Sequence, residues 1–242
     1  DWFKTQHWFN GVLGLWGGSY LGIVQWVIAD APPIMAMVPS ITGSRLQTVV
    51  YPDGVLDLSL AMHWMAIFQA LDSSKNLLHG MRQLARVERA IQPAFAALPV
   101  IESDATALGQ PVEFYRKWLD HISPEDELWR DVHESTRPER VKAPVHLIGG
   151  WYDFFLRALL NDYAALKTAG RQPYLTIGPW HHFSQIISLH DLYEGIPWFE
   201  KHLKGDARHV RHDPVRIYIL GANTWRSLDE WPPPAQPTRF FL

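Results

Sequence analysis

Val12-Leu13-Gly14-Leu15-Trp16-Gly17-Gly18-Ser19-Tyr20-Leu21-Gly22 is the stretch on which the reading of this chain turns. The run Val12 to Trp16 is short, apolar and broken on each side by glycine, the pattern of a strand buried on both faces. Gly17-Gly18-Ser19 forces a tight turn. Tyr20 to Ala29 is apolar and long enough for a helix buried on most sides, stopped by Pro32 and Pro33. Ile34 to Val38, ahead of Pro39, reads as a second parallel strand, so strand, helix and strand make one βαβ unit. A serine on such a turn holds its hydroxyl clear of the sheet edge, and small residues around it let strand and helix close tightly. The helix N-terminus brings N–H groups beside an oxyanion. The stretch departs from the G-x-S-x-G pattern: Gly22 falls one place late, and Leu21 stands where the last glycine is expected. Taken alone, Gly17 to Gly22 also fits a phosphate-binding turn or a turn with no chemistry, although no G-x-G-x-x-G or Walker-type lysine accompanies it.

Working outward, Trp2 to Asn10 reads as the end of a helix. Residues 44–140 carry successive helical patterns at Leu56 to Leu71, Leu77 to Ala97 (kinked at Pro93) and Pro111 to His121, with no strong strand run between them. The α/β rhythm returns at Pro144. Val145 to Ile148 is a strand closed by Gly149-Gly150, Phe154 to Lys167 an amphipathic helix ended by Gly170, Tyr174 to Ile177 a strand closed by Gly178-Pro179, and Leu192 to Leu203 a helix. Val215 to Leu220 alternates before a turn at Gly221-Ala222-Asn223, and Trp231 is followed by three prolines. That tail reads as the first strands of an antiparallel β domain. The expected organisation is an α/β sheet core over residues 1–43 and 141–210, a helical cap inserted at 44–140, and the start of a further β domain at 211–242.

Two more loops carry chemistry. Asp153 follows the strand at Val145 to Ile148, and His181 and His182 follow the strand at Tyr174 to Ile177. Carboxyl ends of parallel strands are where sites form in such sheets. The order Ser, Asp, His is the one found in α/β-hydrolases, unlike the chymotrypsin or subtilisin orders. Plainer readings stand beside this one. Asp153 could cap the helix beginning at Phe154, and a histidine after a strand is often a hydrogen-bonded structural residue. His181, His182 and His190 could be read as a metal cluster, but their spacing fits no familiar ligand pattern.

Composition narrows the class. With 242 residues, 47% hydrophobic and 19% charged, the chain can form a packed core and does not read as disordered. A net charge of −3 gives no electrostatic reason to expect nucleic acid or an anionic membrane as partner. The absence of cysteine excludes disulfides, thiolate metal sites and cysteine nucleophiles, and suits a cytoplasmic setting. The most apolar stretch, Leu21 to Val38, is broken by Gln25, Asp30, Pro32 and Pro33, so no membrane span is expected.

Gly14-Leu15-Trp16-Gly17-Gly18-Ser19-Tyr20-Leu21-Gly22 resembles the nucleophile segment of the cocaine esterase-like and Xaa-Pro dipeptidyl-peptidase (S15) hydrolases, whose G-x-S-Y-x-G turn accounts for the late Gly22. Gly149-Gly150-Trp151-Tyr152-Asp153 is similar to that family's acid motif, and Gly178-Pro179-Trp180-His181-His182 to its G-P-W-x-H base motif. Gly221 to Trp225 and Trp231-Pro232 resemble the start of its C-terminal jelly roll. The resemblance implies an α/β-hydrolase core with helical cap and jelly roll. Ser19 would be the nucleophile, His182 the base, Asp153 its orienting acid, the Tyr20 backbone N–H one oxyanion donor, and Phe155 an acyl-pocket aromatic. It implies acyl transfer through an acyl-enzyme with no metal or organic cofactor, acting on a small ester, amide or short peptide, with homo-oligomerisation left open. The apolar Phe154, Phe155 and Leu156 and the basic Arg157 disfavour a cationic substrate end there, because a desolvated ammonium needs a countercharge. Esterase or acylase is therefore expected ahead of dipeptidyl-peptidase; the reading from another class is an inactive fragment or a binding homologue. The family's second oxyanion donor, a tyrosine on an early loop, would precede Asp1. The chain thus reads as a fragment lacking the early strands, expected on its own to be poorly soluble and about 10²–10³-fold impaired.

Overall fold

The computed structural model describes residues 2–184 and 186–240, with the side chains of Ser135 and Ser188 left aside. Phe241 and Leu242, at the end of the expected β domain, lie outside the described residues. By contact the chain divides into two compact units, residues 1–45 with 133–242, and residues 46–132.

The first unit is built on one sheet whose strands run in sequence order: β1 (Leu13–Gly18), β2 (Ile34–Ser40), β3 (His146–Tyr152), β4 (Tyr174–His181), β5 (Val215–Ile219) and β6 (Thr224–Leu228). β1 to β5 are parallel and β6 turns back antiparallel to β5. Helix α1 (Tyr20–Ile28) joins β1 to β2, so the opening βαβ unit forms where the apolar runs place it. The first residues make only a short 3-10 turn, Trp2–Thr5, rather than a helix end.

The insertion, described by itself, is helical: α2 (Leu46–Val50), α3 (Leu58–Asp72), α4 (Leu77–Leu84), α5 (Val87–Ile91), α6 (Ser103–Leu108), α7 (Glu113–Asp120) and the start of α8 (Glu127–Ser135). The long helix expected at Leu77 to Ala97 is broken after Leu84 and again ahead of Pro93, which opens a 3-10 turn. Met62, Ile91, Tyr115 and Trp129 fill its core. Asp57 and Asn76 cap α3 and α4 by accepting the N–H of Leu60 and His79.

Back in the first unit, α9 (Leu156–Thr168) and α10 (Ile186–Lys204) complete the layers. Trp26 of α1 and Leu159, Tyr163 and Leu166 of α9 pack on one face of the sheet with Met37, Leu147, Leu175 and Val215. On the other face Ile187 and Trp198 of α10 pack with Ala36, Val38 and Ile148. Covering both faces is what parallel strands require, and explains why β2 and β3 are almost wholly apolar. Each such side chain, fully buried, contributes about 1.5–3 kcal/mol. Among the described residues no helix is long and apolar enough to cross a membrane.

One expectation is corrected. Residues 215–228, read from sequence as the opening of a separate β domain, are the last two strands of the α/β sheet itself. At a sheet's margin a strand is covered unevenly, so β5 alternates between buried and half-buried positions. That pattern is indistinguishable in sequence from a strand of an antiparallel domain.

The point where the insertion leaves the sheet is pinned by a buried carboxylate. Asp162 of α9 accepts the Ser44 N–H at 2.8 Å and the Ser44 hydroxyl at 2.5 Å, and the Ser44 carbonyl accepts the Thr136 hydroxyl at 2.8 Å. Burial pushes the Asp162 carboxyl up to about 7, against the opposing pull of the Ser44 hydrogen bonds. A carboxyl that holds its proton more tightly when folded stabilises fully below its unfolded value near pH 4 and loses that contribution as pH rises through about 7. Part of the fall in melting temperature between pH 5 and pH 8 is therefore expected to vanish in Asp162→Asn. Parallel melting curves for the two proteins across that range would contradict this.

Candidate active site

The register of the sheet brings the functional loops to one edge. Gly18 lies opposite Ser40, Ser40 opposite Ile148, and Tyr152 opposite His181, so β1 to β4 end along one rim. Ser19, Asp153 and His182 each stand immediately beyond one of those strand ends.

Ser19 occupies the turn between β1 and α1 with φ 55° and ψ −125°. This region is sparsely populated for a residue with a side chain and typically costs about 1–3 kcal/mol, sustained only when the surroundings over-determine it. Both backbone groups of Ser19 are held. Its N–H donates to the Ser40 carbonyl at 2.9 Å, and its carbonyl accepts the Thr42 hydroxyl at 2.9 Å and the N–H groups of Gly22 and Ile23. Between Ser40 and Thr42, Ile41 is itself forced to φ 40°, an outlier for a β-branched residue. Gly17, at φ 154°, sits where a Cβ would come within 2.7 Å of the Leu21 Cβ, so the turn needs glycine there on two counts.

His182 Nε2 lies 2.9 Å from the Ser19 hydroxyl oxygen, and His182 Nδ1 lies 3.0 Å from Asp153 Oδ2. The other carboxylate oxygen, Oδ1, accepts the Phe155 N–H at 2.7 Å. Asp153 thus serves both the imidazole and the start of α9. Both side chains are sheltered, at 8% exposed for His182 and 0% for Asp153. Phe154 stacks on the imidazole with centroids 4.2 Å apart, and Phe183 meets it edge-on at 5.1 Å. Tyr20, whose N–H was named as an oxyanion donor, is the first residue of α1, directly after Ser19.

The pair of histidines separates cleanly. His181 stays within its own turn, its Nδ1 accepting the Phe183 N–H. His190 packs against the Trp180 and Trp225 rings. Neither joins His182, and among the described residues no group of three or more His, Asp or Glu side chains is placed to hold a metal ion.

Phe155, expected as an acyl-pocket aromatic, is 2% exposed, with its ring centroid 5.6 Å from that of the imidazole. Phe154, 39% exposed, and Phe183, 65% exposed, are the rings that border the site. Phe154 and Phe155 both lie against the imidazole, at 4.2 and 5.6 Å, and only their packing leaves one exposed and the other buried, which sequence spacing cannot reveal. Ser40, Ile41 and Thr42 were also missed as parts of the site. Their one signal was position, at and just past the end of an apolar strand.

A family model of the X-Pro dipeptidyl-peptidase (S15 family) matches residues 1–184. The cocaine esterase of Rhodococcus sp. (strain MB1 Bresler) is 25% identical over 268 residues, an alignment covering all of this chain and 46% of that protein. Among solved structures, an aminopeptidase from the marine sediment archaeon Thaumarchaeota archaeon superposes with a TM-score of 0.70 at 18% identity, over 96% of this chain and 41% of that one. A CocE/NonD family hydrolase from Staphylococcus aureus gives 0.63 at 16%, over 96% and 37%. The chain spans about half the length of the curated relatives it matches. Strand order, the rim of strand ends and the family match agree: this chain belongs to the X-Pro dipeptidyl-peptidase (S15) family, a family of α/β-hydrolase fold and serine-hydrolase type.

Proposed function

We propose that this chain carries the reaction centre of a serine hydrolase that cleaves carboxylic ester or amide bonds through an acyl-enzyme on Ser19. The observation that carries this reading is the unbroken relay from Asp153 through His182 to Ser19, at 3.0 and 2.9 Å. A carboxylate only accepts hydrogen bonds, so Asp153 fixes the proton of His182 on Nδ1 and leaves Nε2 as the acceptor facing the serine. His182 then removes the Ser19 proton as Oγ attacks the carbonyl, and returns it to the departing alcohol or amine. Water enters next, activated by the same nitrogen, and releases the acid. Negative charge on the tetrahedral intermediate falls beside the N-terminus of α1, where the Tyr20 N–H and the helix dipole stabilise it. The relay itself needs no metal or organic cofactor.

The rings of Phe154 and Phe183 beside the imidazole favour a small-molecule substrate with an apolar acyl or leaving group. Esterase or acylase action is thus placed ahead of Xaa-Pro dipeptidyl-peptidase action, which the matching family's description keeps as the second reading. A fluorophosphonate probe is expected to label the protein at Ser19 and to leave Ser19→Ala unlabelled. Turnover of apolar aryl esters well above that of Xaa-Pro amides chooses the first branch; the reverse preference chooses the second. Equal labelling of wild type and Ser19→Ala would remove the proposal.

A further inference from the structure

Behind the nucleophile lies a buried carboxylate that the acyl-transfer chemistry does not use. Asp191, on α10, is 6% exposed. Its Oδ2 accepts the hydroxyl of Ser40 at 2.7 Å, and Ser40 is fully buried. Its Oδ1 is buried without a hydrogen-bond partner among the described residues. Ser40 ends β2, and its carbonyl is the acceptor of the Ser19 N–H. α10 is the helix that follows the loop bearing His182. One side-chain pair therefore joins the element that holds the nucleophile's backbone to the element that leaves the base.

We propose that Asp191 and Ser40 form a positioning pair for the nucleophile, clamping the end of β2 to α10 so that Ser19 and His182 keep their hydrogen-bonding distance. The inference rests on the reading of Ser19 and His182 as nucleophile and base. Neither Asp191 nor Ser40 touches a reacting atom.

Energetics favours a functional reason over a structural one. A carboxylate in apolar surroundings with a single hydrogen bond is a poor stabiliser, and a neutral side chain of the same shape often serves stability as well or better. Burial raises the Asp191 carboxyl to about 6, and the Ser40 hydrogen bond opposes that rise. Among the described residues no charged neighbour offsets it. Along α10, His190 is turned against Trp180 and Trp225, and Glu194 is paired with Arg211 and Arg216. The strands beneath meet the helix with Gly14, Val38, Ile148 and Trp180. Folding therefore loses this group's contribution as pH rises through about 6, and at pH 8 the ionised Asp191 is a cost to stability. A rigid, strong hydrogen bond to the strand end is what that cost maintains.

The test is fluorophosphonate labelling of Ser19 at pH 8 in the full-length protein, read alongside the melting temperature at the same pH. Asp191→Asn is expected to label about 10- to 100-fold more slowly while melting at or above the wild-type temperature, because small misplacements of reacting groups cost rate far more than stability. Slower labelling with a lowered melting temperature would show Asp191 to be a packing residue and overturn the proposal, as would a wild-type labelling rate in the folded variant. Should Asp191→Asn fail to fold, Ser40→Ala decides: slowing by about tenfold or more supports the pair, and an unchanged rate overturns it. A wild-type protein that does not label at all would fail the proposed function first; wild-type labelling with an indifferent Asp191→Asn fails this inference alone.

Discussion

Asp153→Asn is expected to lower kcat on an activated ester about 10⁴-fold while leaving thermal unfolding nearly unchanged. The size follows from the way both carboxylate oxygens are engaged. The Phe155 N–H donates to Oδ1 at 2.7 Å and His182 Nδ1 faces Oδ2 at 3.0 Å. An asparagine of the same shape must turn its carbonyl oxygen toward the Phe155 N–H, since an amide NH2 there would set donor against donor. Its NH2 then faces His182 Nδ1, which has to become an acceptor, and the imidazole proton moves to Nε2. That nitrogen stands 2.9 Å from the Ser19 hydroxyl and can no longer take its proton. The backbone bond to Phe155 survives, so the start of α9 survives with it and the loss is chemical. Ester turnover with a matched melting curve measures both sides. A loss below about tenfold would mean that the tautomer of His182 is set by something other than Asp153.

Gly22→Ala is expected to cost about 1–3 kcal/mol of stability and, with it, most of the turnover. Helix propensity alone predicts the opposite, since alanine is better than glycine by about 1 kcal/mol inside a helix. Contact decides. A Cβ at position 22 would lie 2.4 Å from the Thr42 Cγ2, 2.6 Å from its Cβ and 2.8 Å from its hydroxyl oxygen. Two relaxations are open. α1 can ride outward, carrying the Tyr20 N–H from the place where charge develops, or Thr42 can retreat and release the Ser19 carbonyl it holds at 2.9 Å. Either one loosens a serine held in a strained conformation. Thr42→Ser, which keeps the hydroxyl and removes the closest methyl, is expected to restore part of both losses. Gly195→Ala in α10 is the control: its Cβ would meet Val38 at 3.7 Å, ordinary contact, and the change should be neutral or slightly stabilising. Melting and ester turnover of the three variants test the argument. A Gly22→Ala protein as stable and active as wild type would show that α1 is not clamped by Thr42.

What the sequence determined by itself was local and ordered along the chain. Apolar runs closed by glycine, or for β2 by Pro39, marked β1 to β4, because a strand covered on both faces has no polar side to alternate with. The order serine, aspartate, histidine, each just past such a run, put these three side chains at one edge of the sheet. The late glycine of the turn was visible as an irregularity, but its partner was not. Only the tertiary structure supplied Thr42 against Gly22, Ser40 against Ser19, and Asp191, which lies 151 positions from Ser40 in the chain. It alone buried Phe155 and left Phe154 and Phe183 exposed beside the imidazole, and it alone assigned residues 215–228 to the main sheet. The physical reason is common to all of these. Periodicity reports which side of an element is covered, whereas parallel pairing and helix-on-sheet packing choose the partner that covers it, across separations that no local pattern encodes.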